Sequence, residues 1–238
     1  MMARNPDLAP TSGNAPARDY VPALGIAALT PLYDAMLGLA TRERVWRVAL
    51  LNQVAPNTGE TIIDVGCGTG TLAVLLKRRA PGARVVGVDP DPDALALAAR
   101  KSASAGVDVE WRQGFARDAA AVLGPGVADK AVSSLVFHQV PAPEKRAGVA
   151  AMFDAVRPGG EVHIADYARQ TGASRLLFNV IGLLDGFANT RANADGALEQ
   201  LLSASTGSTV QARRVVPTVT GAISLFACTR SLRTGEHH

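Results

Sequence analysis

From about residue 55 to residue 230 the chain alternates short apolar runs with longer stretches whose apolar positions recur every three or four residues. The runs 61–65, 84–88, 107–113, 131–137 and 161–167 have strand length. They are mostly rich in β-branched or aliphatic residues, as strands covered on both faces are. Within 144–156, Val149, Met152, Phe153 and Val156 fall at i, i+3, i+4 and i+7 and share one helical face. A further helix opens at Asp91, a side chain that can cap free N–H groups, followed by Pro92 at a position where a missing N–H costs nothing. Strands alternating with helices predict right-handed crossovers and a doubly wound, mostly parallel α/β sheet.

The two ends of this core differ from it. Residues 1–18 mix Pro, Asn, Ser and Ala without an apolar period and predict a flexible leader, and 234–238 predicts a similar tail. Helical stretches at 21–29 and 31–54 predict a cap over 19–54, ahead of a main domain over 55–233. After residue 167 comes a helical insert at about 172–204, with helices near 174–187 and 193–203. Strands at 209–216 and 221–229, joined through 217–220, form an expected antiparallel hairpin and bring the sheet to seven strands. The insert is apolar nearly all round (Leu176, Phe178, Ile181, Leu184), so it is buried, forms a homodimer surface or roofs an apolar pocket; a lid is the expectation.

Composition narrows the class without choosing a chemistry. With 47% hydrophobic and 19% charged residues, disorder, collagen and coiled coil are excluded. The net charge of +3 is spread along the chain, which gives no ground for a nucleic-acid partner. No apolar stretch has the length of a membrane helix, and Cys67 and Cys228 are expected as reduced thiols in a cytoplasmic protein.

The chemistry concentrates after the first strand, in Asp64-Val65-Gly66-Cys67-Gly68-Thr69-Gly70. Three glycines at alternate positions let backbone turn sharply and approach a ligand, with N–H groups of the loop and the next helix free to meet a carboxylate. A dinucleotide fingerprint needs glycine three residues after Gly68, where Thr71 stands; a phosphate loop needs Gly-Lys-Ser/Thr, which is absent. The second strand ends at Asp89, a carboxylate placed to accept both hydroxyls of a ribose. Together these point to an adenosine-like ligand.

These residues resemble a known family. Ile62 to Gly70, Val86-Gly87-Val88-Asp89 and Val156-Arg157-Pro158-Gly159-Gly160 are similar to motifs of class I S-adenosylmethionine-dependent methyltransferases, in the branch grouped with ubiquinone and menaquinone methyltransferases. The resemblance covers about residues 20–230 and implies a Rossmann-like fold with S-adenosyl-L-methionine as cofactor. It implies that Gly66, Cys67, Gly68 and Gly70 hold the amino acid end, that Asp64 supports the loop, that Asp89 binds the ribose and that Pro90 packs near adenine. Gln113-Gly114-Phe115-Ala116 departs from the family's Gly-Asp-Ala, so backbone at Gly114 and Phe115, or Asp118, takes over the adenine contact. Tyr20 or Tyr33 reaches the methionine carboxylate, or both anchor helical packing.

His138, expected at the carboxyl end of the fourth strand, is the best acid–base candidate, while Gln139 stands where relatives often carry a second histidine. Asp166 and Tyr167 line the expected acceptor pocket, and His163 reads as structural. A Mg-dependent site needs carboxylates or amides where His138 and Tyr167 stand, so no metal is expected. The expected reaction is in-line methyl transfer to a small, rather apolar acceptor, with O, N, S and C all open. A non-catalytic regulatory protein binding the same cofactor and an NAD-dependent oxidoreductase are the alternatives.

Overall fold

The computed structural model describes residues 42–172, 187–219 and 221–232. Seven strands form one sheet: β1 (Thr61–Val65), β2 (Arg84–Asp89), β3 (Glu110–Gln113), β4 (Ala128–Ser134), β5 (Val156–Tyr167), β6 (Arg214–Thr218) and β7 (Gly221–Thr229). Their order is β3-β2-β1-β4-β5-β7-β6. The first five strands run parallel, while β7 is antiparallel to β5 and β6. The chain leaves β1 toward β2 and returns to its other side at β4. This reversal opens a crevice beyond the carboxyl ends of β1 and β4, where ligands bind in open α/β sheets.

The helices are α1 (Glu43–Val54), α2 (Thr71–Arg79), α3 (Pro92–Ser104), α4 (Ala119–Leu123), α5 (Ala142–Ala155), α6 (Phe187–Ala194) and α7 (Ala197–Thr206), with a 3₁₀ turn at Ala116–Asp118. They cover both faces. Ile63, Val65, Val86, Met152, Phe153 and Leu198 belong to one apolar cluster; Ile62, Leu72, Leu76, Trp46 and Leu50 belong to the other. Neighbours Ile62 and Ile63 thus serve opposite layers, as a strand buried on both sides requires.

Several expected boundaries move. β4 stops at Ser134, three residues short of 137: Leu135 adopts φ 58, and the chain turns away after the Leu135 N–H donates to the Ala165 carbonyl (2.9 Å). β3 starts at Glu110 rather than 107, because the Val107 N–H is taken by Ser102 O. β6 starts at Arg214 rather than 209 and runs through Pro217, which an edge strand tolerates, so the hairpin turn is tighter than 217–220. The helix expected at 193–203 is two, broken at Gly196 with φ +98. The helix expected at 144–156 starts earlier, at Ala142, and ends at Ala155. Of the N-terminal helices, α1 is described; the stretch 21–29, the insert helix expected at 174–187 up to residue 186, Tyr20 and Tyr33 lie outside the described residues. His163 is buried in mid-β5 between Gln53 and Glu161, and burial pushes its imidazole down.

Candidate functional site

The glycine loop is tied to the sheet by its own backbone. The N–H groups of Gly66 and Cys67 both donate to the Val88 carbonyl (2.8 and 3.0 Å), and Gly70 N–H donates to Cys67 O (2.9 Å). Gly66 has φ +70, and a Cβ there would lie 2.3 Å from Val136 Cγ2, so the turn after β4 closes directly onto the loop. At Gly68, φ +51, a Cβ would meet nothing within 4 Å among the described residues, so the loop's midpoint is not covered by them. Gly70 precedes α2 and is backed by the Trp111 ring and Ala98. Cys67 is a buried free thiol pushed well up by burial beside Asp64 and Asp89; Cys228 is likewise buried and free.

Asp64 lies beneath the loop, fully buried, and neither carboxylate oxygen has a hydrogen-bond partner. Burial pushes its carboxyl up to about 7; Asp89 adds to this, while the Arg47 guanidinium opposes it and the Ala73 amide helps without completing a bond. Arg47 comes from α1, donates to Glu43 Oε1 (2.5 Å), and leaves a buried Nε without a partner. Lys101 from α3 donates to Thr69 Oγ1 (2.9 Å) and Thr71 Oγ1 (2.7 Å) at the start of α2. An orphaned buried carboxylate, a half-satisfied guanidinium and an open glycine fit the ammonium and carboxylate of an amino acid.

Asp89 ends β2, accepting from Gly68 N (2.8 Å) and Asp91 N (3.0 Å), and burial pushes its carboxyl up. The Pro90 carbonyl accepts from the Gln113 amide (3.1 Å). Gly114 N–H donates to Asp89 O (3.1 Å) and Phe115 N–H to Asp118 Oδ2 (2.9 Å), so neither amide is open to a nucleobase.

On the other side of the crevice stands His138, four residues beyond the end of β4. Its Nδ1 meets Asp166 Oδ1 at 2.7 Å, and its ring packs edge-on to Tyr167 at 5.2 Å. Asp166 is fully buried at the end of β5 and also accepts from the N–H groups of Phe137 (2.6 Å) and Tyr167 (2.7 Å). With Nδ1 bound to a carboxylate, Nε2 is the imidazole nitrogen left for a reactant. The sequence reading placed both residues near the acceptor but did not pair them. It missed Arg47 and the buried Lys145 altogether, each hidden in a helix whose other residues give an ordinary amphipathic pattern. Among the described residues, no three His, Cys, Asp or Glu side chains gather as a metal site would need.

Residues 62–160 match the family model described as a methyltransferase domain. The demethylmenaquinone methyltransferase of Thermus thermophilus is 31% identical over 156 residues, 64% of this chain and 69% of that protein. A ubiquinone biosynthesis O-methyltransferase of Pseudomonas paraeruginosa is 35% identical over 136 residues; the match takes in 57% of this chain and only 56% of that relative's length. A solved geranyl diphosphate methyltransferase with geranyl diphosphate and sinefungin superposes with a TM-score of 0.61 at 17% identity, over 78% of this chain and 76% of that one, a likeness of fold. With the sheet order, the glycine loop and the acid at the tip of β2 already in place, the match to the Thermus relative, 69% of whose length is covered, decides the family. The chain belongs to the class I S-adenosylmethionine-dependent methyltransferases.

Proposed function

We propose that this chain methylates a small, rather apolar acceptor of the quinone or phenol class, with His138 as general base. The carrying observation is the His138–Asp166 pair, whose histidine stands in the turn after β4, two residues beyond the Val136 that lies against Gly66 of the glycine loop. When bound, S-adenosylmethionine supplies an electrophilic methyl on a sulfonium centre. In this reading Gly66, Cys67, Gly68 and Gly70 cradle its amino acid end, Asp64 meets the ammonium, and Arg47, with Tyr20 or Tyr33, meets the carboxylate. Asp89 accepts the ribose hydroxyls, Pro90 packs near adenine, and Asp118 accepts from the adenine amino group, since the Gly114 and Phe115 amides are engaged.

With the donor bound, the acceptor's O–H or acidic C–H proton would pass to Nε2 of His138 while its electron pair would form the bond to the methyl carbon and the sulfonium S–C bond would break, S-adenosylhomocysteine being the leaving group. Asp166 holds the imidazole in the required tautomer, as carboxylates do for histidine bases. Alignment in a closed pocket supplies most of the rate, and a positioned base adds about 10²–10⁴-fold. The acceptor class takes support from the names of two relatives, a demethylmenaquinone methyltransferase and a ubiquinone biosynthesis O-methyltransferase. We place the reaction in the cytoplasm, with no nucleic-acid partner; a homodimer belongs to the same reading.

The test is turnover on a panel of hydroquinones and catechols, followed as S-adenosylhomocysteine. The wild type is expected to turn over at least one, and His138→Gln to lose about 10²–10⁴-fold while S-adenosylhomocysteine still binds in calorimetry. Binding without turnover of any acceptor would favour the regulatory protein instead, and full activity in His138→Gln would remove the base.

A further inference from the structure

Lys145 is 1% exposed, a burial lysine almost never reaches unless paired. Its Nζ donates to Asn193 Oδ1, and Asn193, itself fully buried, donates through Nδ2 to the Tyr167 carbonyl (2.8 Å). That second bond fixes which end of the amide faces the lysine. The Tyr167 N–H in turn donates to Asp166 Oδ1, the oxygen that meets His138. Lys145, Asn193, Tyr167 and Asp166 thus form one chain of polar contacts from α5 and α6 to the end of β5.

We propose that Lys145 is a positioning residue for the His138–Asp166 pair: its ammonium balances the buried carboxylate that holds Nδ1, so that Nε2 is kept for accepting the substrate's proton. The inference rests on the role given to His138 above.

A carboxylate buried beside a histidine favours the imidazolium, which is useless as a base. A cation close to the same carboxylate offsets that pull. Burial draws the Lys145 ammonium down and Asp166 is the charge that holds it up. The other charges on these elements have a partner of their own or lie in solvent. Glu144 on α5 pairs with Arg117 at the surface, Arg146 is exposed, and Glu199 on α7 accepts from the Arg169 amide. From the turn after β4 the facing group is His138 itself, and from α6 it is the neutral Asn193.

The experiment compares Lys145→Met and Lys145→Arg with the wild type. Calorimetry with S-adenosylhomocysteine verifies the fold, NMR titration follows the His138 ring, and the pH–rate profile follows transfer. In Lys145→Met both the ring titration and the rising limb of the rate profile are expected about one pH unit higher, giving about tenfold slower transfer below the limb, and Lys145→Arg recovers most of the change. Should Lys145→Met not fold, Asn193→Asp decides: a carboxylate sharing the ammonium moves the ring titration upward too. A His138 titration unmoved in the folded variants, with only stability lost, overturns the proposal and leaves Lys145 a structural strut. The ring titration is read without turnover, so it separates this failure from loss of the base reading, which shows as full activity in His138→Gln.

Discussion

Asp89 already carries two hydrogen bonds before any ligand arrives, one from Gly68 of the loop and one from Asp91. Each carboxylate oxygen keeps a further lone pair, so the residue can anchor the loop and still accept from a ribose. Asp89→Ala is therefore expected to weaken S-adenosylhomocysteine binding by about 1–3 kcal/mol, the usual cost of losing charge-assisted hydrogen bonds. Calorimetry reads it, and unchanged affinity would remove Asp89 from the site. This residue and the loop glycines were legible because their spacing is local: a strand, a turn and the tip of the next strand lie within 26 residues, Asp64 to Asp89. The partner of His138 was not. Asp166 lies 28 residues further on and meets the imidazole only because β4 and β5 pair in parallel with Ser134 opposite Ala165. Register of that kind is a tertiary fact, and no run of residues encodes it on its own.

The start of α3 was easier to read than the end of β4. At α3 the Asp91 side chain accepts from Asp93 N (2.8 Å) and Ala94 N (3.3 Å), the cap that Asp-Pro announces. Asp91→Ala should cost about 1 kcal/mol in urea unfolding and Asp91→Asn much less, since Asn caps as well as Asp; equal losses would show that the cap is not what Asp91 contributes. The end of β4 resisted the same treatment because apolar residues continue past it for two separate reasons. Phe137 is buried in the core, and Val136 fills the space that Gly66 leaves. Neither pairs with another strand. A hydrophobic run reports burial, and only hydrogen bonding decides where burial in a strand becomes burial in a turn.

For the whole molecule, the site sets a cost that the fold has to carry. Asp64 is displaced from 3.8 to about 7 by burial, so between those values the folded state holds a proton that the unfolded chain has lost. Stability from this group is then present at low pH and is lost as pH rises from about 4 to about 7. A displacement of that size amounts to roughly 4 kcal/mol at neutral pH, set against a total of about 5–15 for a typical protein. His163 works in the opposite direction: its imidazole is held neutral by burial, and stability falls as pH drops below its ordinary value of 6.5. Asp64→Asn removes the first effect and keeps the shape. Its Tm should therefore exceed the wild type's at pH 8, by an amount corresponding to about 1–3 kcal/mol once the unpaired amide is counted, and the two should converge near pH 4. The same variant should bind S-adenosylhomocysteine more weakly, because the ammonium it would have met now faces a neutral group. In the wild type that affinity should rise with pH through about 7, as Asp64 ionises, and decline only in the alkaline range where the ligand's amine loses its proton. Asp64→Asn should lose the rising limb alone. A variant no more stable than the wild type at pH 8 would mean that the buried carboxylate is satisfied in the free protein, and that its orphaned oxygens are not being kept for a ligand.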